Sequence, residues 1–148
     1  MIEEFIEKNE LDAEIVSFAT ETPVSVAIKL KKFNPKNIAQ TDIFISKKRD
    51  EILTITPFGK KPSIEKIESI VGEELLELNE EESLEMTGYK KRFLPPISIY
   101  GVKIFIDVSF DNFDYLIFPL SIKKYLKIQV EEILSFNEDV SFEKILDN

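Results

Sequence analysis

The stretch Thr87-Gly88-Tyr89-Lys90-Lys91-Arg92-Phe93-Leu94-Pro95-Pro96 constrains everything around it. Gly88 permits a backbone conformation that other residues resist. Pro95 and Pro96 fix their own φ and push Leu94 and Pro95 toward extended geometry. Neither proline can donate to a sheet ladder. An acidic helical segment precedes the stretch, and the most apolar strand signal of the chain, Val102 to Val108, follows it. The segment therefore reads as an ordered loop that enters a strand. Loops of that kind, held on a rigid scaffold, are where function tends to lie. The alternative reading is a plain helix-to-strand connection without chemistry.

On either side of this loop the periodicity changes repeatedly between helix and strand. Ile2, Phe5 and Ile6 fall at helical spacing. Residues 13–19 alternate as a strand does. Thr22-Pro23 opens a helix that runs to Phe33, with a capping hydroxyl and a proline at its first position. Thr41 to Ser46 and Glu51 to Thr56 pair as a hairpin around residues 47–50. Ser63 caps a helix that Gly72 stops. Leu75 to Leu78 is short and extended, and Asn79 with Glu82 forms a capping box. Asp107 ends the apolar strand and is read as the cap of the turn that follows. Tyr115 to Phe118 is a strand, residues 121–125 are a short element, and residues 130–134 and 142–146 are helical candidates. Only 4 glycines in 148 residues argue against a turn-rich all-β sandwich. The expected fold class is α+β, with a mixed, mostly antiparallel sheet and interspersed helices over a single domain spanning residues 1–148.

The chain has no histidine and no cysteine. That removes Ser-His-Asp and Cys-His mechanisms, imidazole bases and zinc-thiolate sites. Catalysis must use carboxylates, Lys, Tyr, hydroxyls, backbone amides or groups of the substrate. No cofactor or metal is expected. A carboxylate metal site in the run Glu80-Glu81-Glu82 is disfavoured, because consecutive helical residues do not face one another. The net charge of −9 opposes non-specific binding to phosphate polymers, and DNA is not an expected partner. Four basic knots nevertheless stand out: Lys47-Lys48-Arg49, Lys60-Lys61, Lys90-Lys91-Arg92 and Lys123-Lys124. If they converge, one face can hold a polyanion; the alternative is solvated loop charge. No apolar run approaches a membrane span, and the acidic amino terminus is wrong for a signal peptide. A cytoplasmic location with no membrane partner is the expectation.

Taken in order, these parts resemble the YbaK and prolyl-tRNA-synthetase-associated editing family, small domains that hydrolyse wrongly charged aminoacyl-tRNAs. The likeness runs from about Glu14 to about Leu134. It rests on Thr22-Pro23-Val24-Ser25-Val26-Ala27 at a helix start and on Pro35-Lys36-Asn37-Ile38-Ala39-Gln40-Thr41 before an apolar strand. Leu53-Thr54-Ile55-Thr56 fits the next strand. Thr87-Gly88-Tyr89, then Pro96, then Val102-Lys103-Ile104-Phe105-Ile106-Asp107 is the most specific part.

Three positions depart from the family pattern. Gln40 stands where members place a lysine that acts at the site of hydrolysis. Arg92 stands at the first glycine of a Gly-x-x-x-Pro turn, of which Pro96 is kept. Phe118-Pro119 replaces a small residue followed by glycine. Gln40 keeps a donor but loses the charge, and a charged donor makes the stronger hydrogen bond. Arg92 can restore that charge from another backbone position, and Lys36 or Lys29 can serve instead; the sequence does not decide among them. The resemblance implies a free-standing deacylase acting on the 3′ end of aminoacyl-tRNA, with Gln40 and Arg92 as catalytic residues. It assigns Thr41, Thr87, Gly88, Tyr89 and Pro96 to substrate binding. The alternative is a degenerate module that binds tRNA ends, nucleotides or an aminoacyl-tRNA synthetase without turnover.

Overall fold

Strands whose residues are apolar on both faces need cover on both sides, and most strands of this chain are of that kind. The computed structural model describes residues 2–147. In chain order it runs α1 (Ile2–Lys8), β1 (Ala13–Ser17), α2 (Val24–Lys31), β2 (Ala39–Ser46), β3 (Glu51–Pro57), α3 (Ile64–Val71) and β4 (Leu75–Glu77). Then come α4 (Glu80–Thr87), β5 (Val102–Asp107), β6 (Tyr115–Pro119), β7 (Lys124–Gln129), α5 (Val130–Ser135) and β8 (Val140–Glu143).

Two sheets form, one of order β1-β7-β6 and one of order β4-β2-β3-β5-β8. The first is antiparallel throughout. In the second, β4, β2 and β3 are antiparallel, and β5 and β8 are added in parallel. Alternation along each strand sets the layers. Ile43, Leu53, Ile55, Ile104 and Ile106 of the larger sheet join Leu116, Phe118, Leu126 and Ile128 of the smaller one in a shared core. Phe44, Ile52 and Phe105, one residue out of phase, pack on Ile67 of α3. Ile117 and Tyr125 pack on Ala27 of α2. Each sheet is thus covered by a helix outside and by the other sheet inside.

Local signals explain most boundaries. Ser63 accepts from the Lys66 amide at the start of α3, and Gly72 ends it at φ 81°. Asn79 and Glu82 make the reciprocal capping box of α4, and Gly88 ends that helix at φ 83°. Asp107 accepts from the Ser109 and Ile145 amides, so it caps a turn as expected.

Three expectations are corrected. Thr22 does not cap α2. Its hydroxyl donates to the Thr20 carbonyl, and its backbone is tied to Ile122 and to the Tyr125 hydroxyl. Residues 142–146 are not a helix, because Val140–Glu143 pairs in parallel with β5. The short element at 121–125 is the approach to β7, which extends to Gln129 because β1 and β6 flank it on both sides.

Candidate active site

The cleft begins where β2 loses its neighbours. On one edge β2 pairs with β3 along its length. On the other it pairs with β4 only from Phe44 to Ser46. It meets the smaller sheet at a single parallel bridge, Ile38 to Ile117. Between these points the outer edge of Gln40, Thr41 and Asp42 has no strand partner among the described residues. A cleft of about 220 Å³ opens there, lined by these three residues together with Gly59, Lys61, Glu77, Lys91 and Arg92.

Gln40 is locked in place. Its Oε1 accepts from the Gly59 amide at 2.8 Å. Its Nε2 donates to Asp42 Oδ2 at 3.2 Å and to the Lys60 carbonyl at 3.4 Å. The amide group therefore ties β2 to the loop after β3 and orients Asp42. The expected donor to a substrate carbonyl already has partners on both of its polar atoms.

Asp42 also lines the cleft, although no sequence pattern pointed to it. It is only 8% exposed and no cation pairs with it directly among the described residues. Burial pushes its carboxyl above the ordinary value; the Gln40 hydrogen bond and the charges of Lys61 and Lys91 pull it down, while the Glu77 charge pushes it up further. The result is a carboxyl whose proton affinity is raised above that of an exposed aspartate. Glu77 behaves oppositely. Burial pushes it up, but hydrogen bonds from Lys91 and Lys61 outweigh that and hold it below the ordinary value. Two carboxylates of one cleft are thus driven apart in acidity, the arrangement by which a site divides proton-transfer and charge-holding roles.

The basic residues arrive on two loops. Lys61 lies 3.0 Å from Glu77 and comes from the loop after β3. Lys91 reaches the other oxygen of Glu77 from the loop after α4. Arg92, beside it, is exposed, lines the cleft and makes no ion pair among the described residues. Two of the four basic knots therefore converge. The other two are answered by acidic neighbours: Lys47 by Glu74, Lys48 by Glu73 and Lys124 by Glu3.

The loop after α4 is held from below. Leu94 and Ile97 are fully buried. Thr41 Oγ1 donates to the Leu94 carbonyl at 3.0 Å, and Asn137 Nδ2 donates to the Pro96 carbonyl at 2.9 Å. A turn closed by the Phe93 amide on the Lys90 carbonyl presents Lys91 and Arg92 above this anchor.

Not every expected site residue reaches the cleft. Gln40, Thr41 and Arg92 do. Thr87, Gly88, Tyr89 and Pro96 do not line it. Thr87 Oγ1 donates to the Ser83 and Tyr89 carbonyls, and Gly88 ends α4. The Tyr89 hydroxyl lies 3.3 Å from Ser98 Oγ, and Pro96 is buried. These four hold the loop rather than the cleft wall.

The family model of the aminoacyl-tRNA editing domain matches residues 19–136, which contain the whole cleft. The chain belongs to the aminoacyl-tRNA editing domain family. No curated protein matches the sequence. Among solved structures, hypothetical protein APE2540 superposes with a TM-score of 0.84 at 17% identity, covering 99% of both chains. A candidate trans-editing enzyme for prolyl tRNA synthetase superposes with a TM-score of 0.83 at 15% identity, covering 99% of this chain and 95% of that one. A candidate signal transduction protein from Marinobacter aquaeolei VT8 gives a TM-score of 0.73 at 10% identity, and the match spans 99% of this chain but 30% of that one. At such identities these likenesses bear on the fold.

In this editing domain the departures noted in the sequence meet at one place. Gln40, Arg92 and Pro119 all line the cleft. Phe118 instead points its bulk into the shared core, where it is 1% exposed. The corner is therefore open rather than filled. No helix among the described residues is long and apolar enough to cross a membrane.

Proposed function

We propose that this editing domain hydrolyses the ester of a mischarged aminoacyl-tRNA, with Asp42 as the group that accepts the proton of the attacking water. What supports the reading most is one juxtaposition. A buried carboxyl of raised proton affinity shares an open cleft with two convergent basic knots, inside the segment that matches the editing family. Arg92, which makes no ion pair among the described residues, suits a phosphate of a tRNA 3′ end, since basic side chains position nucleic-acid backbones, while Lys61 and Lys91 beside it pair with Glu77.

In this scheme Asp42 takes a proton as the water oxygen bonds to the ester carbonyl carbon. Negative charge develops on the carbonyl oxygen, where a guanidinium such as Arg92 stabilises it. The bond from carbon to the ribose oxygen then breaks. The proton held by Asp42 passes to that oxygen, with the neighbouring ribose hydroxyl assisting. Amino acid and uncharged tRNA leave. Gln40 acts as a positioning residue for Asp42, and Thr41 as an anchor for the loop that carries Arg92. Thr87, Gly88, Tyr89 and Pro96 support that loop in turn.

A second reading has its own observation. Both polar atoms of the Gln40 amide are already bonded, so the position that the resemblance assigns to a catalytic lysine offers no donor. A module that binds tRNA ends or a synthetase without turnover follows from that. A deacylation assay over a panel of mischarged tRNAs separates the two. Turnover that falls by about 10²–10⁴ in Asp42→Asn, with retained fold, supports hydrolysis. Binding of charged tRNA without turnover on any member of the panel removes it.

A further inference from the structure

Beside the polar cleft lies a second cavity of about 310 Å³. The two share Phe58, Arg92 and Pro119 as a common wall. The rest of the second cavity includes Pro23 and Val24 at the start of α2, Phe93 from the basic loop, and Ile122 and Tyr125. Its volume stands at the lower edge of the roughly 300–1,000 Å³ typical of small-molecule sites.

The polar atoms in its wall are largely turned to other use. The Tyr125 hydroxyl donates to the Thr22 carbonyl at 2.7 Å, and Thr22 Oγ1 donates to the Thr20 carbonyl at 3.0 Å. Ser121 Oγ accepts from the Lys123 amide at 3.1 Å. Tyr125 is 2% exposed, and its hydroxyl proton goes to the Thr22 carbonyl. Glu21 and Arg92 are the charged members of the lining. Away from those two side chains, a polar group entering this space would lose water with little to replace it. A nucleobase needs donors and acceptors along its edge to be read, and the hydroxyl protons of Thr22 and Tyr125 are already given to carbonyls, which leaves Ser121 to donate. A hydrocarbon or aromatic side chain needs none.

We propose that this apolar cavity receives the side chain of the aminoacyl group, so that the substrate is an ester of a large apolar amino acid such as leucine or phenylalanine. The proposal rests on the hydrolase reading for its chemistry, because the ester lies in the adjoining polar cleft when the side chain lies here. The two spaces are neighbours through Phe58, Arg92 and Pro119, and the proposal joins them as compartments of one site. Selectivity follows from size: a single missing methylene in an apolar pocket costs about 10–200-fold in discrimination.

The test uses adenosine analogues carrying alanyl, leucyl or phenylalanyl groups in a non-hydrolysable 3′-amide linkage, with affinity measured by calorimetry. Leucyl or phenylalanyl analogues are expected to bind at least about 10-fold more tightly than the alanyl analogue. Ile122→Trp is expected to erase that difference while leaving the alanyl analogue unaffected. Ile122 is 50% exposed, so the substitution falls on the surface side of the fold; Val24→Phe is the second filling variant. Equal affinity for all three analogues overturns the proposal. So does a filling variant that weakens all three alike, which marks the cavity as a seat for the base. Hydrolysis of the matching charged tRNAs is measured in parallel. Side-chain preference in binding without any hydrolysis removes the deacylase reading and leaves this subsite standing. Hydrolysis with no preference does the reverse.

Discussion

Gln40 Nε2 donates to Asp42 Oδ2 at 3.2 Å, two residues along one strand and on the same face. The pair converts a surface amide into a mount for a buried carboxyl. Strand alternation places Gln40 and Asp42 together and turns Thr41 the other way, toward the Leu94 carbonyl. One segment thus holds both the acid of the cleft and the loop that brings Arg92 to it.

Asp42→Asn separates activity from stability. Burial raises the Asp42 carboxyl above its ordinary value. A raised value in the folded state means that its contribution to stability is fully present below the unfolded value and is lost as pH rises through the folded one. At pH 7 the charged form is therefore a burden that a neutral amide of the same shape removes. Asp42→Asn is expected to raise Tm at pH 7, by about 2–4 °C for each kcal/mol recovered, and to change it little near pH 3. Thermal unfolding followed by circular dichroism across that range checks it. A variant less stable than the parent at pH 7 would show that the carboxylate is well paired after all.

Glu77→Gln has the opposite sign. Burial pushes Glu77 up, yet the Lys91 and Lys61 hydrogen bonds hold it below its ordinary value. Its stabilisation is present above the unfolded value and disappears as pH falls through the lowered one. The substitution is expected to cost about 1 kcal/mol at pH 7 and nothing in strong acid. Because Lys61 and Lys91 come from different loops, it is also expected to loosen the cleft. Urea unfolding at two pH values reads the first effect, and amide hydrogen exchange of the two loops reads the second.

Leu94→Ala tests the anchor of the basic loop. Leu94 is fully buried, and truncation of such a side chain costs about 2–5 kcal/mol. Thr41→Val removes the donor to its carbonyl and leaves that carbonyl buried and unpaired, at about 1–3 kcal/mol. One change acts on the Leu94 side chain and the other on the bond to its backbone carbonyl, so both loosen the same segment and their effects should not add. Denaturant curves for both single variants and the double variant measure the coupling. Full additivity would mean that the hydrogen bond does not hold the loop.

Features written in adjacent residues were legible in the sequence. The Asn79 and Glu82 capping box, the Ser63 cap, the Gly72 stop and the β2–β3 hairpin each depend on groups within a few positions. Val140–Glu143 was not legible, because it is a strand only by virtue of β5 alongside it. The site divides the same way. Gln40 and Arg92 were reached through the family pattern, and both line the cleft. Thr87, Gly88 and Tyr89 carried a strong local signal, but that signal was the end of α4. Asp42 gave a single hint, one carboxylate within an apolar strand. Its meaning depends on Glu77, which β4 brings to the same cleft.

Gln40→Lys places an ammonium group where the family pattern has one. Two consequences follow from the contacts of Gln40. The Gly59 amide loses its acceptor, so the loop after β3 loosens. Asp42 exchanges a neutral donor for a cation within the same reach. An opposite charge at that distance favours the ionised carboxyl and lowers its pKa by about 1–3 units. Carbon-13 NMR titration of the Asp42 carboxyl is expected to show its midpoint moving down in Gln40→Lys and not in Gln40→Ala. If the protein hydrolyses its substrate through Asp42, the acid limb of the rate profile moves down with it. A midpoint that stays in place would mean that the new ammonium turns to Glu77 instead, and that the lysine of the family pattern and the carboxyl of this chain do not share a working geometry.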